Sequence, residues 1–488
     1  MPHRVVRELV ALLTVAGPLV LAQLAQNGMS FIDTVMVGRL GAGPLAGLAL
    51  GAVAFNFAYL LAMALLLSVS PVVAQAVGGG RHEVAARALR HGLVLAVAIA
   101  VPLSLVVANL APVLGRLGQD AAVLVGANEY LRAVAPGVFG ALAFVALRGF
   151  LEGNGQTRPV MVIALLGVAL NAALNEVLIF GRLGLPRLGV AGAGVATSVT
   201  YLAMAVAAAF TISRGYRSLR VFRGWRVEGR VVRELLALGW PISLTLGFEV
   251  SLFTGTALVM GFFGEGPLAG HQIAMQTASM SFMVPLGVGI ATSVRVGQAA
   301  GRGDADGVRR AGWTGVAVAA AFMTLTAALY LLAPRLVTSI YLDVNDPANL
   351  VVVGYAATFL SLAGAFQLFD GVQVSAVGAL RGLKDTRVPM LITLLSYWVV
   401  GFPTGLLCAF ALDLGPRVVD VGEHRGRSAE HAVAQGDPVV DADVVLDAAP
   451  VADRDVRPDH HVLPDGAVRP HPGARQQLAE VPDPGAGA

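Results

Sequence analysis

Long apolar stretches separated by short polar segments dominate residues 1–417 of this 488-residue chain. Eleven of these stretches are long enough to cross a bilayer, which takes roughly 20 helical residues for about 30 Å of hydrocarbon. The predicted spans are residues 10–37, 45–73, 89–113, 123–147, 159–181, 188–212, 235–263, 267–294, 311–334, 349–380 and 388–412. The pattern therefore predicts an all-α polytopic membrane protein.

Composition supports the same class of protein. The chain is 56% hydrophobic and 13% charged, whereas soluble domains carry roughly 25% charged residues. The one cysteine, Cys408, lies in an apolar run, which excludes a disulfide within the chain and a cysteine-based metal site. We expect no cofactor and no nucleic-acid partner.

The chain repeats itself, because positions of the first half return in the second. Pro18 with Pro241, Leu45-Ala46-Gly47 with Leu268-Ala269-Gly270, Gln75 with Gln298, Gly78 with Gly301 and Arg87 with Arg310 share an offset of 223 residues, and Thr157-Arg158 with Thr386-Arg387 has an offset of 229. Six spans per half would bring both halves into the membrane from the same face. We therefore predict two homologous six-helix lobes related by a pseudo-two-fold axis along the membrane normal.

The repeat sets the predicted domains: an N-terminal lobe over residues 1–212, an Arg-rich cytoplasmic linker over 213–234, and a C-terminal lobe of five helices over 235–417. Residues 418–488 hold 6 Arg and 13 Asp and Glu but no Ile, Phe, Tyr, Trp or Met. Such a composition predicts a disordered tail. Because it begins where the twelfth helix should follow, we hypothesise a frameshift that removed this helix; an authentic disordered tail is the alternative.

Basic residues predict the orientation of the spans. Of the 28 Lys and Arg before residue 418, 21 are assigned to the N-terminus or to loops on one face, Arg148 and Arg381 among them. Basic loops mark the cytoplasmic side of a membrane protein. We therefore predict a multi-pass protein of a bacterial inner (cytoplasmic) membrane, with its N-terminus in the cytoplasm.

Three carboxylates, Asp33, Glu249 and Asp370, lie inside predicted spans. An Asp at the centre of a membrane helix costs about 2.5–3.5 kcal/mol, so such residues face a polar interior. Glu249 follows Glu234 by 15 residues and Asp370 precedes Arg381 by 11, which places them roughly 22 Å and roughly 16 Å along their helices. We predict that these acids share a cavity and bind cations; the alternative is a carboxylate satisfied by backbone or hydroxyl groups, or, for Asp33, one that faces water near a helix end.

Further polar residues are candidates for the lining of that cavity. They are Gln26 and Asn27 in the first span and Asn171, Asn175 and Glu176 in the fifth. For Glu176, a position facing a loop is an equal alternative.

Several motifs, in their order and spacing, carry a family resemblance. They include Asp33-Thr-Val-Met-Val-Gly, Gly149-Phe-Leu-Glu-Gly-Asn-Gly-Gln-Thr-Arg-Pro, His271-Gln-Ile-Ala and Ala379-Leu-Arg-Gly-Leu-Lys-Asp-Thr-Arg-Val-Pro. Over residues 1–417 the chain resembles the multidrug and toxic compound extrusion (MATE) transporters. The resemblance implies twelve helices in two six-helix lobes that export organic cations in exchange for Na⁺ or H⁺. We expect a monomer.

The resemblance also implies roles for particular residues. It assigns the coupling-cation site of the NorM-type branch to Glu249 and Asp370, and a role in coupling and substrate contact to Asp33. At Phe366 the chain departs from related sequences, which often carry Tyr there. A hydroxyl ligand is therefore missing from the expected site.

Two other functions would require different residues. A flippase for lipid-linked saccharides, the activity of a related branch, would need a cationic cavity for pyrophosphate, whereas the charges within the spans are mostly acidic. A membrane enzyme would need His/Asp or Ser/His/Asp clusters at helix ends, and none is evident in the sequence. We therefore predict a transporter rather than an enzyme.

Overall fold

The computed structural model describes residues 2–216 and 227–411, and the regular structure within these ranges is helical. The predicted tail over residues 418–488 and the hypothesis of a lost twelfth helix lie outside the described residues. The same holds for residues 217–226 of the predicted linker, whose flanks continue into helices at either end.

Nine helices form the first half of the described chain. They are α1 (Pro2–Gly38), α2 (Ala42–Leu66), α3 (Val69–Gly78), α4 (His82–Ala108), α5 (Ala111–Arg116), α6 (Ala121–Val134), α7 (Gly137–Gly153), α8 (Thr157–Phe180) and α9 (Val190–Gly215).

Seven α-helices, four of them long, form the second half of the described chain. They are α10 (Gly229–Gly261), α11 (Glu265–Gly301), α12 (Ala305–Leu332), α13 (Pro334–Thr338), α14 (Leu350–Gly382), α15 (Arg387–Thr393) and α16 (Phe402–Leu406). A π-helix, Leu394–Gly401, joins α15 to α16, and a second, Leu407–Ala411, follows α16.

The predicted number of spans is confirmed. Among the described residues, ten helices are long and apolar enough to cross a membrane, and the bent pair α6–α7 brings the number to eleven. Each of the eleven predicted segments corresponds to one of these spans.

The fourth span differs from a continuous helix. It is broken between Val134 and Gly137, and its two parts, α6 and α7, meet at an angle of 52°. Pro136 lies in the break. Its ring has no N–H to donate and collides with the carbonyl group one turn earlier, so the helical hydrogen-bond ladder cannot run through this position.

The two halves touch through equivalent pairs of helices. Within the first half, α1 packs on α8, and α9 packs on α6, α7 and α8. Within the second half, α11, α12 and α14 pack on one another. Between the halves, α1 contacts α11 and α10 contacts α2, and these two contacts are exchanged by the internal repeat.

At one end of the molecule the halves are in backbone contact. A Cβ atom on Gly78 of α3 would collide with the Gln298 carbonyl of α11, and a Cβ on Gly301 would collide with the Gln75 carbonyl. Gly78 and Gly301 are equivalent in the repeat, as are Gln75 and Gln298. Only glycine permits so close an approach of two backbones.

Two side-chain hydrogen bonds complete this contact. Gln75 Nε2 donates to the Gly382 carbonyl at 2.9 Å, and Gln298 Nε2 donates to the Gly153 carbonyl at 3.1 Å. Gly153 and Gly382 are also repeat equivalents, at the offset of 229. We call this contact the closed end; it lies beside the basic loops that contain Arg81 and Arg302.

Candidate functional site

The first polar centre surrounds Asp33 of α1, which is only 6% exposed. Its two carboxylate oxygens accept hydrogen bonds from Asn175 Nδ2 and, at 2.9 Å, from Thr197 Oγ1. Asn171 joins the same cluster, because its Oδ1 accepts from Asn175 Nδ2 at 3.2 Å. All of these residues belong to the first half.

Helix geometry explains why these groups converge. Asn171 and Asn175 are four residues apart on α8, so both side chains lie on one face of that helix. α9 can approach α8 closely because Gly192 has no side chain. A Cβ atom at this position would stand only 2.8 Å from the Ile179 nitrogen of α8. The close packing of α9 places Thr197 against Asp33.

One acceptor in this centre has no partner. Asn175 Oδ1 is buried without a hydrogen bond in the structure, next to the Asp33 carboxylate. Carboxylate, amide and hydroxyl oxygens are the ligands that hard cations prefer. The centre is therefore suited to a proton or a small cation.

The second polar centre is a cavity of about 110 Å³ inside the second half. Both predicted carboxylates, Glu249 of α10 and Asp370 of α14, line it. The remaining lining is amide, hydroxyl, thioether and aromatic or aliphatic side chains: Phe253, Met275, Ala278, Ser279, Phe282, Met283, Gln367, Gln373, Val374 and Tyr397. Asp33 is not among the lining residues, so the structure brings two of the three predicted carboxylates together.

The π-helix contributes Tyr397 to this cavity. Its hydroxyl lies 3.2 Å from Gln373 Nε2 and 3.3 Å from Gln373 Oε1. The next residue, Trp398, donates from Nε1 to the Phe248 carbonyl of α10 at 3.1 Å, which ties this segment to the helix that carries Glu249. π-Helical turns are frequent at functional sites.

Tyr397 changes the expectation drawn from Phe366. Phe366 is buried and does not line the cavity, whereas its neighbour Gln367 does. A phenolic hydroxyl is nevertheless present, because the last described span supplies it.

Other predicted residues lie elsewhere. Gln26 accepts a hydrogen bond from Arg148, and Glu176 forms an ion pair with Arg182 at 2.7 Å; neither lines the cavity. Asn27 reaches across to the second half, where its Nδ2 donates to Met283 Sδ at 2.9 Å. Asn27 thus touches a lining residue from the opposite half.

A buried ion pair was missed by the sequence reasoning. Arg148 and Glu152, one turn apart on α7, pair with side chains only 12% and 4% exposed. Arg148 also donates to Gln23 Oε1 and Gln26 Oε1 of α1, each at 2.8 Å. The assignment of Arg148 to a cytoplasmic loop is wrong, since α7 continues to Gly153.

Arg381 was likewise assigned to a loop but lies in the last turn of α14. It interacts electrostatically with Glu249, so the cavity carboxylate has a cation nearby within the second half. In residues 2–216 and 227–411, no group of three or more His, Cys, Asp or Glu side chains could hold a metal ion.

The described residues form eleven apolar spans in two repeated halves, with two carboxylates lining an internal cavity. These features define a polytopic membrane transport protein. The MatE family model matches residues 18–177 and 241–407, one segment in each half. The chain therefore belongs to the MatE family, the multidrug and toxic compound extrusion transporters, and is not an enzyme.

Similar proteins agree with this assignment. A Deinococcus radiodurans protein described as a probable multidrug resistance protein NorM is 44% identical over 417 residues, covering 84% of this chain and 90% of its own length. A Mesorhizobium japonicum protein of the same description is 41% identical, with 83% and 88% covered. The crystal structure of the eukaryotic MATE transporter AtDTX14 covers 92% of this chain and 97% of its own, with a TM-score of 0.77 at 21% identity, which is a likeness of fold.

Proposed function

We propose that this protein is a multidrug efflux transporter that exports organic cations in exchange for Na⁺ or H⁺. The observation that carries the proposal is the cavity of the second half, where Glu249 and Asp370 line the same space. Two carboxylates in one confined site either take up a cation or share a proton. The family membership and the NorM-named relatives support the same function.

The lining of the cavity favours cationic substrates. Phe253 and Phe282 offer aromatic faces that attract a cation, and Met275 and Met283 are flexible enough to fit varied shapes. Among the lining residues of the described chain there is no Arg or Lys. This lining suits an organic cation better than the pyrophosphate of a lipid-linked saccharide.

Ion and substrate would compete for the same negative charge. In the proposed cycle, Na⁺ or H⁺ binds at Glu249 and Asp370 and displaces the organic cation. The membrane potential adds about 2.3 kcal/mol per charge per 100 mV to ion entry. Asp33, with its cluster of amide and hydroxyl groups, would provide a further proton or cation site in the first half.

Exchange also requires the gap between the halves to open at alternate ends. The closed end supports such a cycle, because small symmetric contacts of Gln75 and Gln298 with four glycines hold it shut. With the N-terminus in the cytoplasm of a bacterial inner membrane, the closed end faces the cytoplasm and substrate leaves on the other side.

The double variant Glu249→Gln with Asp370→Asn tests this function. We expect it to abolish ion-driven efflux of ethidium from proteoliposomes, because neither amide carries the charge that binds the ion. Na⁺ and H⁺ gradients are imposed separately, so that the wild type reveals its coupling ion. The melting temperature in detergent should stay close to that of the wild type.

Glu176→Gln is the matched control. It removes a carboxylate from the same protein, but one that pairs with Arg182 outside the cavity, and efflux should continue. Undiminished efflux by the double variant would refute the proposed role of the cavity.

A further inference from the structure

A groove unrelated to the cavity lies between α1 and α12, beside the closed end. It measures about 530 Å³ and is open along its length. Arg309, Arg310 and Trp313 line it near the start of α12, and the rest is apolar or small: Val5, Leu9, Thr314, Ala317, Val318 and Ala321. Basic side chains next to an apolar surface complement a lipid, which has a polar headgroup and acyl chains, better than a soluble ligand.

The internal repeat supplies a matched comparison for this groove. Arg310 is the repeat equivalent of Arg87, and Val5 is the equivalent of Glu228, both at the offset of 223. In the first half, Arg87 forms an ion pair with Glu228 at 3.4 Å. In the second half the same place holds Val5, so the protein offers no carboxylate where its repeat has one.

A second contact with Glu228 is likewise present in the first half and, among the described residues, absent from the equivalent place in the second. His91 of the first half accepts a hydrogen bond at Nε2 from the Glu228 backbone N–H, at 2.8 Å, and its equivalent is Thr314, which lines the groove. The segment around Glu228 thus covers, in one half, the surface that remains open in the other.

The positive charge at the groove is only partly neutralised. Arg310 lies 3.5 Å from Asp304, and both side chains are partly exposed. Arg309 is exposed and forms no ion pair with a carboxylate of residues 2–216 or 227–411. An anion that bound both guanidinium groups would take the position that Glu228 occupies in the first half.

Trp313 points to a membrane component as the source of that anion. It is 65% exposed, one turn below Arg309, and tryptophan is enriched at the boundary between lipid headgroups and acyl chains. From Arg309 to Ala321 the helix rises roughly 18 Å, which spans a headgroup and the upper part of an acyl chain.

We propose that this groove binds one anionic phospholipid, with its phosphate on Arg309 and Arg310 and an acyl chain along Val5, Leu9 and Ala317. Basic pockets between membrane helices bind such headgroups. The bound lipid bridges the start of α1, the helix that carries Asp33, to α12.

Native mass spectrometry of the purified full chain tests the site. The protein is titrated with dioleoyl phosphatidylglycerol or with dioleoyl phosphatidylcholine, and the first bound lipid is quantified. We expect the wild type to retain phosphatidylglycerol selectively. Arg309→Gln with Arg310→Gln should weaken that binding about fivefold for each arginine removed.

Val5→Glu is the sharper variant, because it restores the carboxylate that the other half possesses. We expect it to weaken phosphatidylglycerol binding while both arginines remain, whereas Val5→Leu and Arg302→Gln, an exposed arginine outside the groove, should bind as the wild type does.

Three results would overturn the proposal. They are equal binding of the two lipids by the wild type, unchanged phosphatidylglycerol binding by Val5→Glu and by the double arginine variant, and displacement of the lipid by millimolar inorganic phosphate, which would indicate a site for the free anion.

Discussion

The two halves of the molecule carry different side chains at equivalent positions near their polar groups. Gln26 of the first half corresponds to Glu249 of the second, and Glu152 corresponds to Arg381. In the first half, Arg148 binds both Glu152 and Gln26, so the charges and amides near this point are paired within the protein. In the second half, the carboxylate of Glu249 has Arg381 nearby but lines a cavity.

This difference separates structural from functional charge. The buried Arg148–Glu152 pair also makes hydrogen bonds to α1, so it holds α1 and α7 together. Few of its donors or acceptors remain available to a ligand. A carboxylate that faces a cavity is available to an ion or substrate. The duplicated scaffold is common to both halves, and the placement of a few charged side chains gives each half its own role.

The largest expected effect comes from Arg148→Leu. It leaves the Glu152 carboxylate buried without its partner, and breaking a buried pair in this way costs about 3–5 kcal/mol. Chemical denaturation in detergent micelles should show a correspondingly lower stability.

The matched variants make this result specific. Arg148→Leu with Glu152→Leu should recover much of the loss, because no unpaired charge remains. Arg182→Leu breaks a more exposed pair and should cost at most about 1 kcal/mol. A loss in Arg148→Leu no larger than in Arg182→Leu would contradict the structural role assigned to the buried pair.

The sequence predicted the spans well because hydropathy is a local property. Each span is recognisable from about 20 neighbouring residues, whatever it packs against. The repeat likewise followed from matched motifs alone. The break at Pro136 was visible as a proline within a span, yet the length of the apolar stretch gave no sign of its 52° angle.

Side-chain partners were harder to predict because they depend on where helices end and how they rotate. Counting basic residues as loop markers assigned Arg148 to a loop, although Glu152 one turn later was a signal for a pair on a helix. Tyr397 gave no comparable signal, since the π-helix changes which residues of the last described span face α14. The departure at Phe366 suggested a missing hydroxyl that a different helix provides.

Asp33→Ala should have an intermediate effect. It removes the acceptor for Asn175 and Thr197 in a buried cluster, and stranding buried donors costs about 1–3 kcal/mol. Glu249→Ala, at the cavity of the second half, also removes a partner of Arg381, but both residues are only partly buried, so water can replace the carboxylate and stability should change less. Equal losses in the two variants, measured by denaturation in the same detergent, would remove the distinction between the two polar centres.

Tyr397→Phe should have the smallest effect and is the most specific to the cavity. It removes one hydroxyl, which in the wild type is hydrogen-bonded to Gln373. A single hydrogen bond contributes about 0.5–1.5 kcal/mol. If Tyr397 holds Gln373 in position for a bound cation, we expect the affinity for ethidium, measured by fluorescence anisotropy, to fall about two- to twelve-fold.

Phe366→Tyr decides whether the hydroxyl acts through this position. It places a phenol where related sequences often have one, beside Gln367 at the cavity. Tyr397→Phe with Phe366→Tyr should not restore affinity if the hydroxyl must come from the π-helix. Tyr355→Phe is the control, because the Tyr355 ring lies tilted against Phe359 and does not line the cavity. Full restoration by the double variant, with unchanged affinity in this control, would show that either helix can supply the hydroxyl and that the π-helix is dispensable for it.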